Sequence, residues 1–136
     1  KEKEKEQKIN NNVDKTLLII EDDPTSREYI RKIVEPKGLN LITSETGNKG
    51  YEIIMNNPEI DLILMDIKLP DIDGLKLTRE IRAAAPNNQI PIIAQTAYAL
   101  KSDKKKSLEA GCDDYISKPI NYQELLRIID NAMHEE

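Results

Sequence analysis

Short apolar runs alternate with amphipathic stretches along almost the whole chain. LLII at 17–20, LNLIT at 39–43, LILM at 62–65, IPIIA at 90–94 and the pair Tyr115–Ile116 are each too short to make a helix. Between them the apolar positions recur at helical spacing. Ile30, Ile33 and Val34 predict a first helix, and Tyr51, Ile53 and Ile54 a second one after Gly47. Leu75, Leu77 and Ile81 predict a third, 100–110 a more charged fourth, and Leu125, Leu126, Ile128, Ile129 and Met133 a fifth. Strands that alternate with helices build βαβ units around a parallel sheet. Such strands are buried on both faces and read as continuous apolar runs, as LLII, LILM and PIIA do. Right-handed crossovers then place helices on both faces of the sheet. The fold predicted is a doubly wound, flavodoxin-like α/β domain with five parallel strands in the order 2-1-3-4-5.

The element boundaries carry their own chemistry. Pro24 suits the first position of a helix, where the N–H it lacks would have no partner. Pro36 and Gly38 stop that helix. Asp73 and Gly74 precede the third helix, and Asn121 is suited to cap the last. Residues 1–14, beginning KEKEKEQKINNN, read as a polar, low-complexity tail or linker, with the folded unit at 15–136.

Composition removes several function classes. The 136 residues suit one domain. The chain has 20 Lys plus Arg against 25 Asp plus Glu, a net charge of −5 that is unsuited to a direct nucleic-acid surface. No run approaches a membrane span, so no membrane contact by this segment is expected. Cys112 is the only cysteine, which excludes an internal disulfide and points to a reducing, cytoplasmic setting. Trp and Phe are absent, so aliphatic residues must fill the core.

In a doubly wound sheet, ligands bind beyond the carboxyl ends of the strands. Glu21, Asp22 and Asp23 follow the first strand, Asp66 the third, Thr96 the fourth and Lys118 the fifth. Strands one and three are neighbours in this order, so Glu21, Asp22 and Asp66 converge. Carboxylates held that close repel unless a cation compensates, and hard oxygen donors suit Mg²⁺. Asp23 is either a third member of this group or the cap of the first helix. Asp66 differs from an ordinary capping acid because it ends an apolar strand and precedes a turn-rich loop, KLPDIDG. Lys118 precedes Pro119, and a cis bond there would aim the lysine along the rim.

The segments LLIIEDDP, LILMDIKLPDIDG, PIIAQTA and DYISKP, in that order, resemble the response-regulator receiver domain of two-component signalling over roughly residues 16 to 133. The resemblance implies that Asp66 is the phosphoacceptor, that Asp22 ligates Mg²⁺ directly and Glu21 through water, and that the Lys68 carbonyl adds a ligand. It also implies that Thr96, the Ala97 N–H and Lys118 contact the phosphoryl oxygens, and that Tyr115 is the switch aromatic. Lys68 and Tyr98, two positions beyond Asp66 and Thr96, are placed to screen attacking water and set the lifetime of the phosphate. His134, the only histidine, reads as a tail residue rather than a phosphodonor.

The implied partner is a histidine kinase or histidine phosphotransfer domain, with homodimerisation through the fourth helix, fifth strand and fifth helix as a further option. LEAGCDDY at 108–115 and KPI at 118–120 are similar to receivers at the ends of hybrid sensor histidine kinases. A stand-alone regulator, a metal-dependent phosphohydrolase on the same scaffold and a non-phosphorylated interaction domain are the alternatives. Lys68 stands where the phosphohydrolase would need a second acid.

Overall fold

The computed structural model describes residues 14–87, 89–97 and 101–134, except the side chains of Lys101 and His134. Tyr98 and the segment 1–13 lie outside the described residues. Strands β1 (Thr16–Ile20), β2 (Asn40–Ser44), β3 (Leu62–Asp66), β4 (Ile92–Thr96) and β5 (Asp114–Ser117) alternate with helices α1 (Pro24–Val34), α2 (Gly47–Asn56), α3 (Gly74–Ala84), α4 (Lys101–Ala110) and α5 (Tyr122–His134). The five strands form one sheet in the order β2-β1-β3-β4-β5, and every pairing is parallel.

The alternation of side chains along each strand divides the core in two. Leu17, Ile19, Leu62, Leu64, Ile93 and Ile116 face one way and pack with Ile30 and Val34 of α1 and with Leu125, Ile128 and Met133 of α5. Leu18, Ile20, Ile63, Met65, Ile92 and Ala94 face the other way and pack with Ile54 of α2 and with Leu77 and Ile81 of α3. Burying an aliphatic side chain of this size stabilises a fold by about 1.5–3 kcal/mol, so the central strands hold both layers. All five residues of β1, β3 and β4 are buried, whereas the edge strand β2 is buried only at Ser44.

The boundaries follow their capping groups. Asp23 caps α1, accepting hydrogen bonds from the Ser26 N–H at 3.1 Å and the Ser26 hydroxyl at 2.7 Å, with Pro24 in the first turn. A short 3₁₀ turn (Glu35–Lys37) follows, and Gly38 closes it at φ 80°, a conformation glycine adopts without a Cβ penalty. Asn121 accepts from the Glu124 N–H at the start of α5. Some edges differ from the sequence expectation. Strand β2 starts at Asn40 rather than Leu39, because Asn40 is the residue that pairs with Thr16. Strand β4 spans Ile92–Thr96 rather than 90–94. Gly74 is the first residue of α3, and Asp73 alone is its cap.

Candidate functional site

Strand register sets the site. Ile20 pairs with Met65, and Asp66 pairs with Gln95. Glu21, Asp66 and Gln95 therefore stand side by side at the carboxyl edge, on the face covered by α1 and α5. Carboxylate oxygens of Glu21, Asp22 and Asp66 all lie within 4.8 Å of one another. Glu21 is 1% exposed and Asp66 5%, while Asp22 is exposed. The acidic convergence expected from the sequence is present. Asp23 is outside this group and belongs to the helix cap.

Lys118 answers the buried charge. Its Nζ donates to Glu21 Oε1 and to Asp66 Oδ2, both at 3.0 Å. The Lys118–Pro119 bond is cis, and the Lys118 N–H donates to the Thr96 carbonyl at 2.8 Å. Burial, then the charge of Asp66, raise the Glu21 carboxyl to about pKa 7, against the contacts from Lys118 and the Asp23 N–H. Burial works against the Lys118 ammonium, but its bonds to Glu21 and Asp66 outweigh it and hold the group above the usual lysine range.

These residues fit a divalent cation. The donors are hard carboxylate oxygens, one acid is held well above its ordinary pKa, and an ammonium already bridges two of the three groups. The Lys68 N–H donates to Asp66 Oδ1 at 3.0 Å, which brings the Lys68 backbone beside the cluster. The two oxygens of Asp66 thus have different partners, one the backbone and the other Lys118.

A cleft of about 170 Å³ opens over Asp66, bordered by Lys68, Leu75, Thr96, Ala97 and Lys118. Thr96 is buried at the end of β4, and Ala97 is exposed beside it. Tyr115 pairs with Ala94, is half-buried, and packs on the layer covered by α2 and α3. The Lys104 ammonium stands 5.3 Å from the centre of its ring.

Four residues shape the site beyond those singled out for its chemistry. Gly74 packs against the loop after β3 so tightly that a Cβ there would stand 2.5 Å from the Asp66 carbonyl oxygen and 2.7 Å from Ile67 Cα. Asp71 accepts the N–H groups of Gly47 and Asn48 at 2.9 and 2.8 Å, which ties the loop after β3 to the start of α2. Arg27 donates to the Glu21 carbonyl at 2.7 Å. Gln95 is fully buried next to Asp66. The glycine after Asp73 was legible as a turn signal, and Arg27 lies near Glu21 in sequence, but the places of Asp71 and Gln95 are set by partners far away in sequence that no local pattern encodes.

Comparison with known proteins agrees with this fold. The model of the response regulator receiver domain matches residues 17–130. A polar-differentiation response regulator, DivK, of Brucella ovis is 34% identical over 119 residues, covering 88% of this chain and 96% of its own. The receiver domain of a sensor histidine kinase from Pseudomonas aeruginosa, solved with a magnesium ion coordinated in its active site cleft, is 35% identical with a TM-score of 0.80. The alignment covers 88% of this chain and 97% of that one. The receiver domain of Saccharomyces cerevisiae Ssk1, solved with the histidine phosphotransfer protein Ypd1, is 26% identical with a TM-score of 0.79, covering 88% of each chain.

Proposed function

The chain belongs to the response regulator receiver domain family, the phosphoacceptor module of two-component signalling, and on that premise we propose that Asp66 is its phosphoacceptor. The observation that carries this reading is the Asp66 carboxylate itself. It is 5% exposed, lies among acids, bonds to Lys118 at 3.0 Å and faces a cleft of about 170 Å³. A carboxylate oxygen of Asp66 attacks the phosphorus of a phosphohistidine. The new O–P bond replaces the P–N bond, and the imidazole leaves with a proton from solvent, giving an aspartyl phosphate. The donor is a histidine kinase or histidine phosphotransfer domain, a reading supported by the Ssk1–Ypd1 pair.

Phosphoryl transfer depends on positioning and on stabilising charge that builds on the equatorial oxygens. Lys118, the Thr96 hydroxyl and the Ala97 N–H are assigned to those oxygens. Glu21, Asp22, Asp66 and the Lys68 carbonyl are assigned to Mg²⁺, which neutralises phosphoryl charge when bound. The likeness to the magnesium-bound Pseudomonas aeruginosa receiver supports that choice of ion. The product adds about −1.5 to −2 charges. In this reading that charge draws Thr96 inward, Tyr115 turns toward the space, and the α4–β5–α5 face changes, with pairing of two copies through it as one outcome.

Two wider settings fit. In the first, the chain is a receiver of a hybrid sensor histidine kinase, a reading supported by the likeness to the receiver of a Pseudomonas aeruginosa sensor histidine kinase, and its single cysteine fits a cytoplasmic setting. The second reading, a stand-alone regulator, is favoured by the match to 96% of DivK. The deciding experiment for Asp66 is mass spectrometry after treatment with acetyl phosphate and Mg²⁺. One acid-labile phosphoryl group is expected on the wild-type chain and none on Asp66→Asn. Equal incorporation in the variant refutes the assignment.

A further inference from the structure

Gln95 occupies a position where a doubly buried strand would ordinarily carry an aliphatic residue. It pairs with Asp66 across β3–β4 and with Ile116 across β4–β5. Paired residues of a parallel sheet project to the same face, so the Gln95 side chain lies beside Asp66 on the α1–α5 face. Lys118 stands two residues beyond Ile116 and reaches back over the same edge to Asp66.

The side chain is fully buried, and among the described residues neither its Nε2 nor its Oε1 has a hydrogen-bond partner. Two cavities meet at it. One is the cleft over Asp66. The other, of about 440 Å³, lies against α1 and is bordered by Tyr29, Ile30, Pro119 and Ile120. Gln95 and Lys118 line both cavities.

A buried carboxamide without partners is costly, and native interiors keep few of them. Leucine or methionine would fill the same position without that cost. The carboxamide therefore finds its use in another state of the site. The Lys118 ammonium has three donors and no acceptor, and here it bonds to Glu21 and Asp66. Both are carboxylates assigned above to a cation. Once their lone pairs turn to a dication, the ammonium loses acceptors while it remains beside Gln95.

We propose that Gln95 is a positioning residue for Lys118: in the cation- and phosphoryl-loaded site, Gln95 Oε1 accepts a hydrogen bond from Lys118 Nζ in place of Glu21. A neutral amide suits this role, because a carboxylate there would add a further negative charge beside Asp66. The inference rests on the phosphoacceptor reading of Asp66.

The test is titration of the wild-type chain and Gln95→Met with beryllofluoride plus Mg²⁺, and with Mg²⁺ alone, followed by fluorine and proton NMR. Gln95→Met should bind beryllofluoride about tenfold more weakly, the loss of one hydrogen bond to a charged group, and Mg²⁺ alone more weakly as well, because the dication by itself draws the carboxylates away from Lys118. Loading should slow exchange of the Lys118 ammonium protons in the wild type and not in the variant. Equal beryllofluoride affinity in the two proteins overturns the role of Gln95 and leaves Asp66 standing. Failure of the wild type to bind beryllofluoride takes down both readings. If Gln95→Met does not fold, the wild-type Gln95 amide resonance decides: a shift on loading supports the proposal, and an unmoved resonance overturns it.

Discussion

The ammonium of Lys118 and the carboxylate of Asp66 meet at 3.0 Å across the carboxyl edge of the sheet, and the same ammonium holds Glu21 at the same distance. One cation thus balances two buried acids before any metal arrives. A divalent ion entering among Glu21, Asp22 and Asp66 must compete with it.

That competition predicts opposite effects of one substitution. Lys118→Met removes a positive charge beside the cluster, so Mg²⁺ should bind about tenfold more tightly. The same variant should lose labelling by acetyl phosphate, since the phosphoryl oxygens lose their ion-pair partner. Calorimetric titration with Mg²⁺ and mass spectrometry measure the two effects. Weaker Mg²⁺ binding in Lys118→Met would contradict the competition.

Glu21 sets a pH dependence. Its carboxyl titrates near 4.5 in a solvated chain and at about 7 in the fold. Between those values the folded chain binds more protons than the unfolded one, so stability falls as pH rises. The loss should be on the order of 2 kcal/mol between about pH 5 and about pH 7. Urea denaturation should show it, and excess magnesium chloride should flatten the slope. A slope of the opposite sign would show that Glu21 is charged throughout.

Gly74 fixes the height of the loop after β3. In Gly74→Ala the new Cβ would meet backbone atoms of Asp66 and Ile67, which cannot yield as a flexible side chain can. The variant should lose about 2–3 kcal/mol of stability. Its labelling by acetyl phosphate should also slow, because Asp66 shifts with its own carbonyl. Wild-type stability by urea denaturation would show that the loop relaxes freely.

Arg82 provides the contrast, because it works away from the site. It donates to the carbonyls of Gly111 and Ile90 and to the Asp113 carboxylate at 2.6–3.0 Å. It thereby ties α3 to the segment before β4 and to the turn between α4 and β5. Arg82→Ala should cost about 2 kcal/mol, while beryllofluoride affinity of the folded protein stays at the wild-type value. A matching loss of affinity would show that the two ends of the sheet are coupled.

The differences between these residues explain what could be read in advance. LLII and LILM announced central strands because both faces of those strands are buried. LNLIT placed the edge strand one residue early, since Leu39 is buried before strand pairing begins at Asn40. Glu21, Asp66, Thr96 and Lys118 were legible because they stand at strand ends, where strand order alone brings them together. Asp71 and Asp73 look alike in KLPDIDG. Asp73 caps its own helix, while Asp71 accepts from the start of α2, a choice made by tertiary packing. Gln95 gave no warning, because one polar residue inside a strand does not reveal whether its amide is paired.

The alternation along β4 has one more consequence. Neighbouring residues Gln95 and Thr96 point to opposite layers, Gln95 toward α1 and α5 and Thr96 toward the side where Tyr115 packs. A charge gained at Asp66 would therefore have one neighbour in each layer, so that a substitution at Gln95 and one at Thr96 probe different halves of the molecule.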